Sequence, residues 1–200
     1  AVRSQGGFTS VSKNSSTGAF TTLSSISSTG VSSFDANTMA VEAGTGITGG
    51  TGTIYRSSVQ RVGGIITTRI LIDLTGLRST ASGDIIGVNG TSNVCHIGQI
   101  TAARNGTILT GSMECFEAPA GGDPDINVHS ATEGTGVEDG AISSLTETLL
   151  VNAGDATLGS KVYFTAVPAA DEFLYLTLGD TTDADYTAGK LFIELMGYEA

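Results

Sequence analysis

Apolar and polar positions alternate with a period of two over most of the chain from Ile54 onward, the pattern of half-buried strands. Arg69-Ile70-Leu71-Ile72-Asp73-Leu74 places Ile70, Ile72 and Leu74 on one face and Arg69 and Asp73 on the other. Residues 161–166 do the same with Val162, Phe164 and Ala166 inward, and Leu191, Ile193 and Leu195 give a last strand its inner face. The run 172–178 is apolar on both faces, as expected of a central strand covered on both sides. Further strands are expected near 84–88, 94–102, 107–116, 126–129 and 146–151. Short strands at close spacing, with almost no helical stripe, predict an all-β fold: a β-sandwich, jelly-roll-like antiparallel domain or barrel spanning 54–200.

The first 53 residues read differently. Ser, Thr and Gly supply 30 of them, and a twelve-residue repeat runs from Phe8 to Gly18 and again from Phe20 to Gly30. Two copies fall short of the three that a self-supporting repeat array needs. Phe20, Leu23 and Ile26 recur at a spacing of three, but the surrounding Ser and Thr compete with helical backbone bonds, so a helix is rejected. The expectation is an extended N-terminal Ser/Thr/Gly-rich arm. Its sparse large side chains, Phe8, Val11, Phe20, Leu23, Ile26 and Phe34, would dock into pockets on a partner. Residues 44–53 are glycine-rich and formally contain GxGxxG from Gly44 to Gly49. No helical stripe follows, so the segment reads as a hinge between arm and body rather than a dinucleotide cradle.

Two Asn-Gly pairs, Asn89-Gly90 and Asn105-Gly106, suit the backbone angles of two-residue hairpin turns. With Asn105 and Gly106 as the loop, Cys95 faces Phe116 and Cys115 faces His96. The two thiols then lie on opposite faces of one ribbon and are expected to stay free.

Charge adds a polarity. The chain holds 9 Lys and Arg against 20 Asp and Glu, a net of −11; residues 1–110 carry +3 and residues 111–200 carry −14. Such an acid balance argues against nucleic acid as a partner, and no run of about 20 apolar residues suggests a membrane span. An initial Ala1 without an apolar leader fits a chain made in a host cytoplasm and trimmed of its methionine. Only His96 and His129 are available as neutral-pH bases, and no GxSxG, HExxH, P-loop or CxxC is present, so neither an enzyme nor a cofactor is expected. His96 beside Cys115 would mimic a nucleophile–base pair, but packing is the plainer role at mid-strand. Asp180, Asp183 and Asp185 share one acidic loop and are the calcium candidates, against a solvated loop as the main reading.

An arm followed by a low-charge, acidic β body resembles the virion structural proteins of tailed bacteriophages, especially those infecting marine bacteria. The resemblance is carried by Gly52-Thr53-Ile54-Tyr55-Arg56-Ser57-Ser58-Val59-Gln60-Arg61-Val62-Gly63-Gly64 and the run from Ile65 to Leu77. It implies a head decoration (cement) protein located in the virion. Its partners would be the major capsid protein or other virion proteins, and further copies of itself in a trimer or dimer. Two alternatives remain: a small β-fold hydrolase using His96 or His129, and a tail-fibre or receptor-binding module that grips host glycans. For the latter only Tyr55, Tyr186 and Tyr198 look free among the aromatics.

Overall fold

The computed structural model describes residues 40–199, preceded by the backbone of three strands. The chain divides into two units, Ala1–Ala40 and Val41–Ala200. In the first, strands β1 (Phe8–Lys13), β2 (Phe20–Ile26) and β3 (Ser32–Phe34) form an antiparallel sheet in that order. The first parts of the two sequence repeats thus become two paired strands, with Phe8 opposite Ile26 and Lys13 opposite Phe20. Within the segment expected as an extended arm, the described strands β1–β3 pair with one another.

The second unit is antiparallel throughout. Strands β4 (Ile54–Val62), β5 (Ile65–Asp73), β8 (Thr107–Ala120), β11 (Lys161–Tyr163) and β14 (Ala188–Tyr198) make a five-stranded sheet in the order β11-β8-β14-β5-β4. Strands β7 (Gly98–Gln99), β9 (Ile126–Ala131), β10 (Glu147–Val151) and β12 (Phe173–Leu178) make a four-stranded one in the order β10-β9-β12-β7. A two-stranded pair joins β6 (Arg78–Ser79) to β13 (Ala184–Asp185). Helices are one turn each: α1 (Thr45–Thr48), α2 (Ala102–Asn105) and a 3₁₀ turn at Ile142–Ser144. The protein is all-β, as the alternation predicts. Among the described residues no helix is long and apolar enough to cross a membrane.

One hydrophobic cluster draws on both sheets. Ile70, Ile72, Leu191, Ile193 and Leu195 enter it from the five-stranded sheet, and Val128, Leu174 and Leu176 from the four-stranded one. The run 172–178 is covered on both faces as expected, with Tyr175 and Leu176 both buried.

Two local expectations are overturned. The glycine-rich segment 44–53 is not a hinge. Val41 and Ile47 are buried in the core of the second unit, and the boundary falls after Ala40 rather than after Thr53. Gly44 N–H donates to the His96 carbonyl (2.8 Å), Gly46 N–H to that of Val94 (2.9 Å), and Val88 N–H to that of Gly46 (2.8 Å). A Cβ at Gly44 would fall on the Val94 carbonyl, and one at Gly46 on the Cys95 sulfur. These glycines admit a close backbone approach rather than motion.

Asn105-Gly106 is not a hairpin turn either. Asn105 ends α2, where Thr101 Oγ1 accepts from Arg104 N–H and Asn105 Oδ1 accepts from Thr101 N–H. Its amide nitrogen donates to Thr68 Oγ1 at 2.7 Å, fully buried. Strand β8 consequently pairs with β14 and β11, so Cys115 faces Leu191 and not His96. The two-residue hairpin lies at Gly63-Gly64 instead. Both residues have positive φ (57° and 85°), the angles of a turn whose twist matches the β4–β5 ribbon.

Candidate functional site

The six arm residues singled out by sequence fall in β1–β3; a register partner is described for all but Leu23, and their side chains lie outside the described residues. Within the second unit three places hold chemistry-bearing groups.

The first is the histidines and thiols. Cys95 and Cys115 are free and buried. Burial pushes the Cys95 thiol up to about 12, and the Glu138 charge adds to this; Cys115 is raised too, again mainly by burial. A thiol kept protonated is a poor nucleophile. His96 packs its ring 5.0 Å from Phe173 and edge-on to Tyr175, and burial holds its pKa below the usual histidine range. His129 Nδ1 lies 2.7 Å from Glu147 Oε2, across the β9–β10 pair. Among the described residues, His96 packs against aromatic rings and His129 pairs with a carboxylate.

The second place is acidic. Asp123, buried, accepts from the N–H groups of Asp125 and Thr182 and so pins two loops together. Asp125 is raised above the ordinary carboxylate value by burial first and then by Asp123, Asp155 and Asp180. Among the described residues no group of three His, Cys, Asp or Glu is placed to hold a metal ion. The calcium candidates separate: Asp183 and Asp185 both close on Arg78, at 2.7 and 3.1 Å, while Asp180 stays outside that pair. A guanidinium fills the place that a cation would take. The same Arg78 borders a polar cleft of about 440 Å³ with Asn89, Glu138, Asp139 and Asp183. Glu138 is buried there and accepts from Gly90 N–H at 3.2 Å; burial, ahead of Asp139 and Asp183, raises its pKa.

The third place is the outer face of the five-stranded sheet. Register puts Gln60, Thr67, Met196 and Thr110 in one row across it, Ser58, Arg69, Glu194 and Ser112 in the next, and Arg56, Leu71, Phe192 and Glu114 in a third. Arg69 Nε donates to Glu194 Oε2 at 2.8 Å, Lys161 reaches Glu114 at 3.4 Å, and Lys190 bridges Asp73 and Glu117. Burial would raise Asp73, but hydrogen bonds from Thr75 and Lys190 outweigh it and hold the carboxyl below its usual value. Between these pairs lie large apolar groups. Phe116 stacks on Phe192 (5.2 Å, 10°), and Val62, Phe116 and Tyr163 remain 65, 48 and 67% exposed. A depression of about 240 Å³ opens among Ser112, Lys161, Tyr163, Glu194 and Met196.

Of the three tyrosines expected to be free, Tyr186 is buried and donates to the Asp123 carbonyl (2.7 Å), and Tyr55 donates to those of Val41 and Ile97 (3.0 and 2.8 Å). Tyr198 alone of them is exposed. The exposed aromatics that sequence reading passed over, Phe116 and Tyr163, sit at polar-looking strand positions; the signal for Phe116 was its place one residue after inward Cys115.

No family model, curated protein or solved structure matches the chain.

Proposed function

We propose that the chain is a virion structural protein of a tailed bacteriophage, a head decoration protein. In this reading residues 1–40 anchor it to the major capsid protein, and the body, with its four- and five-stranded sheets stacked as a β-sandwich, forms the cladding. The observation that carries this reading is the outer face of the five-stranded sheet: wide, regular, dotted with apolar side chains and internally charge-paired, a surface suited to packing. The buried thiols and the His129–Glu147 pair are compatible with it. Many copies on a lattice multiply weak contacts, so a surface of this kind suffices without a deep pocket. The glycan-binding alternative loses two of its three tyrosines to interior hydrogen bonds.

The test is a pair of truncations assayed by co-sedimentation with empty phage heads. Removing residues 1–40 should leave a folded body that no longer pellets with heads; retained binding would show that the N-terminal unit is not the anchor. Removing residues 1–53 is a different experiment. It strips Val41 and Ile47 from the core and should destabilise the body by about 3 kcal/mol or more.

A further inference from the structure

The second unit carries 7 cations and 19 acids between residues 41 and 199, a net of −12. On the outer face of the five-stranded sheet the balance is different. Arg56, Arg69, Lys161 and Lys190 stand among Asp73, Glu114, Glu117 and Glu194, a net of zero. The whole excess of −12 therefore sits elsewhere on the body. A basic partner would be drawn to those other surfaces. A second, equally acidic copy would be repelled by those surfaces taken together, whereas the balanced face adds no net charge of its own to that repulsion.

From this we infer that two copies of the chain associate through the outer faces of their five-stranded sheets, related by a two-fold axis. An isologous contact requires a self-complementary patch, and the ion pairs supply one: Arg69–Glu194 lies in the middle row of the sheet, where a two-fold rotation would bring Arg69 near the other copy's Glu194 and the reverse. Apolar anchors flank that row on both sides. Val62, Ile65 and Tyr198 form a row at one end, paired across β4, β5 and β14, and stacked Phe116 and Phe192 lie toward the other. The depression beside Tyr163 offers room for a side chain from the facing sheet. Nine-residue strands extend about 30 Å, and the sheet is about 20 Å across, so a face-to-face pair buries roughly 1,200 Å² in total, the lower limit of a standard specific interface. Association of that size is reversible, with the exposed aromatics as its strongest points.

The inference stands on the sheet alone, so it can fail while head binding by residues 1–40 succeeds, and the reverse. It is tested by sedimentation equilibrium of the full chain from micromolar to submillimolar concentration. The expected result is a monomer–dimer equilibrium between the 20.2 kDa chain and twice that mass. Phe116→Glu and Val62→Glu, at exposed positions toward opposite ends of the face, should each weaken the dimer at least tenfold with unchanged circular dichroism. Leu149→Glu, at an exposed position on β10 of the other sheet, adds the same charge and should leave the dimer intact. A chain that stays monomeric throughout would overturn the inference, including one whose face is covered by its own N-terminal unit. A trimer, or a dimer indifferent to both face substitutions, would do the same.

Discussion

The two large sheets of the body solve the same problem in different ways. In the four-stranded sheet, every residue of β9 is buried and β12 is buried on both faces, including its polar Thr177. Loops of the same chain close over it: Ile85, Gly136 and Leu145 gather beside Tyr175, whose hydroxyl donates to the Glu133 carbonyl and accepts from Gly136 N–H. In the five-stranded sheet, β14 alternates strictly, with Leu191, Ile193 and Leu195 inward and Phe192, Glu194 and Met196 outward. Among the described residues of the second unit, no loop covers that outer side to the same degree, and ion pairs take the place of a second apolar layer. One sheet is an interior, and the other is half interior and half exposed surface.

Substitutions on the two strands give the largest expected contrast. Tyr175→Ala and Leu176→Ala point to opposite faces of β12, and each should cost about 3 kcal/mol or more, because both faces are core. On β14 the neighbours should split: Leu195→Ala should cost a similar amount, and Met196→Ala within about 0.5 kcal/mol. Urea melts at low chain concentration, where association does not contribute, read all four. Equal costs at Leu195 and Met196 would break the contrast by showing that the outer face is covered within the monomer.

A smaller effect sharpens it from the side of charge. Asp125 lies at the end of the four-stranded sheet, where burial and then Asp123, Asp155 and Asp180 raise its pKa. A folded-state pKa above the unfolded one means the folded chain holds this proton more tightly. Ionisation of Asp125 therefore works against folding once the pH exceeds its folded pKa, and protonation relieves that strain as the pH falls. Asp125→Asn should raise Tm at pH 7 by about 2 °C, the gain of a fraction of a kcal/mol at this chain length, and the gain should shrink as the pH is lowered through the folded-state pKa of Asp125. A variant that melts at or below wild type at pH 7 would remove the charge argument for that loop.

Much of this architecture can be read from the linear sequence because it is local. The alternation at Ile70–Ile72 and Leu191–Leu195 reports its own buried face, and the continuous apolar run at 173–178 reports a strand covered twice. Features set by distant partners are invisible in the same way. Asn105 resembles a turn residue, yet its side chain is held by Thr68, 37 positions away. Gly44 and Gly46 look like a flexible linker, and what they accommodate is the backbone of 94–95. The hairpin at Gly63-Gly64 carries a local signal, a two-glycine turn between alternating runs, that is no stronger in sequence than the two Asn-Gly pairs. The outer face was hidden for a further reason: its ion pairs join residues as far apart as Arg69 and Glu194, so charge balance emerges only after the strands are set side by side.

In the proposed function the protein acts by packing its surfaces onto a particle. Locating the chain in purified phage particles by cryo-electron microscopy tests it most directly. The predicted result is ordered density for the chain at repeating positions on the outer head shell, with residues 1–40 against the shell. Particles whose heads carry no copy of the chain would contradict it.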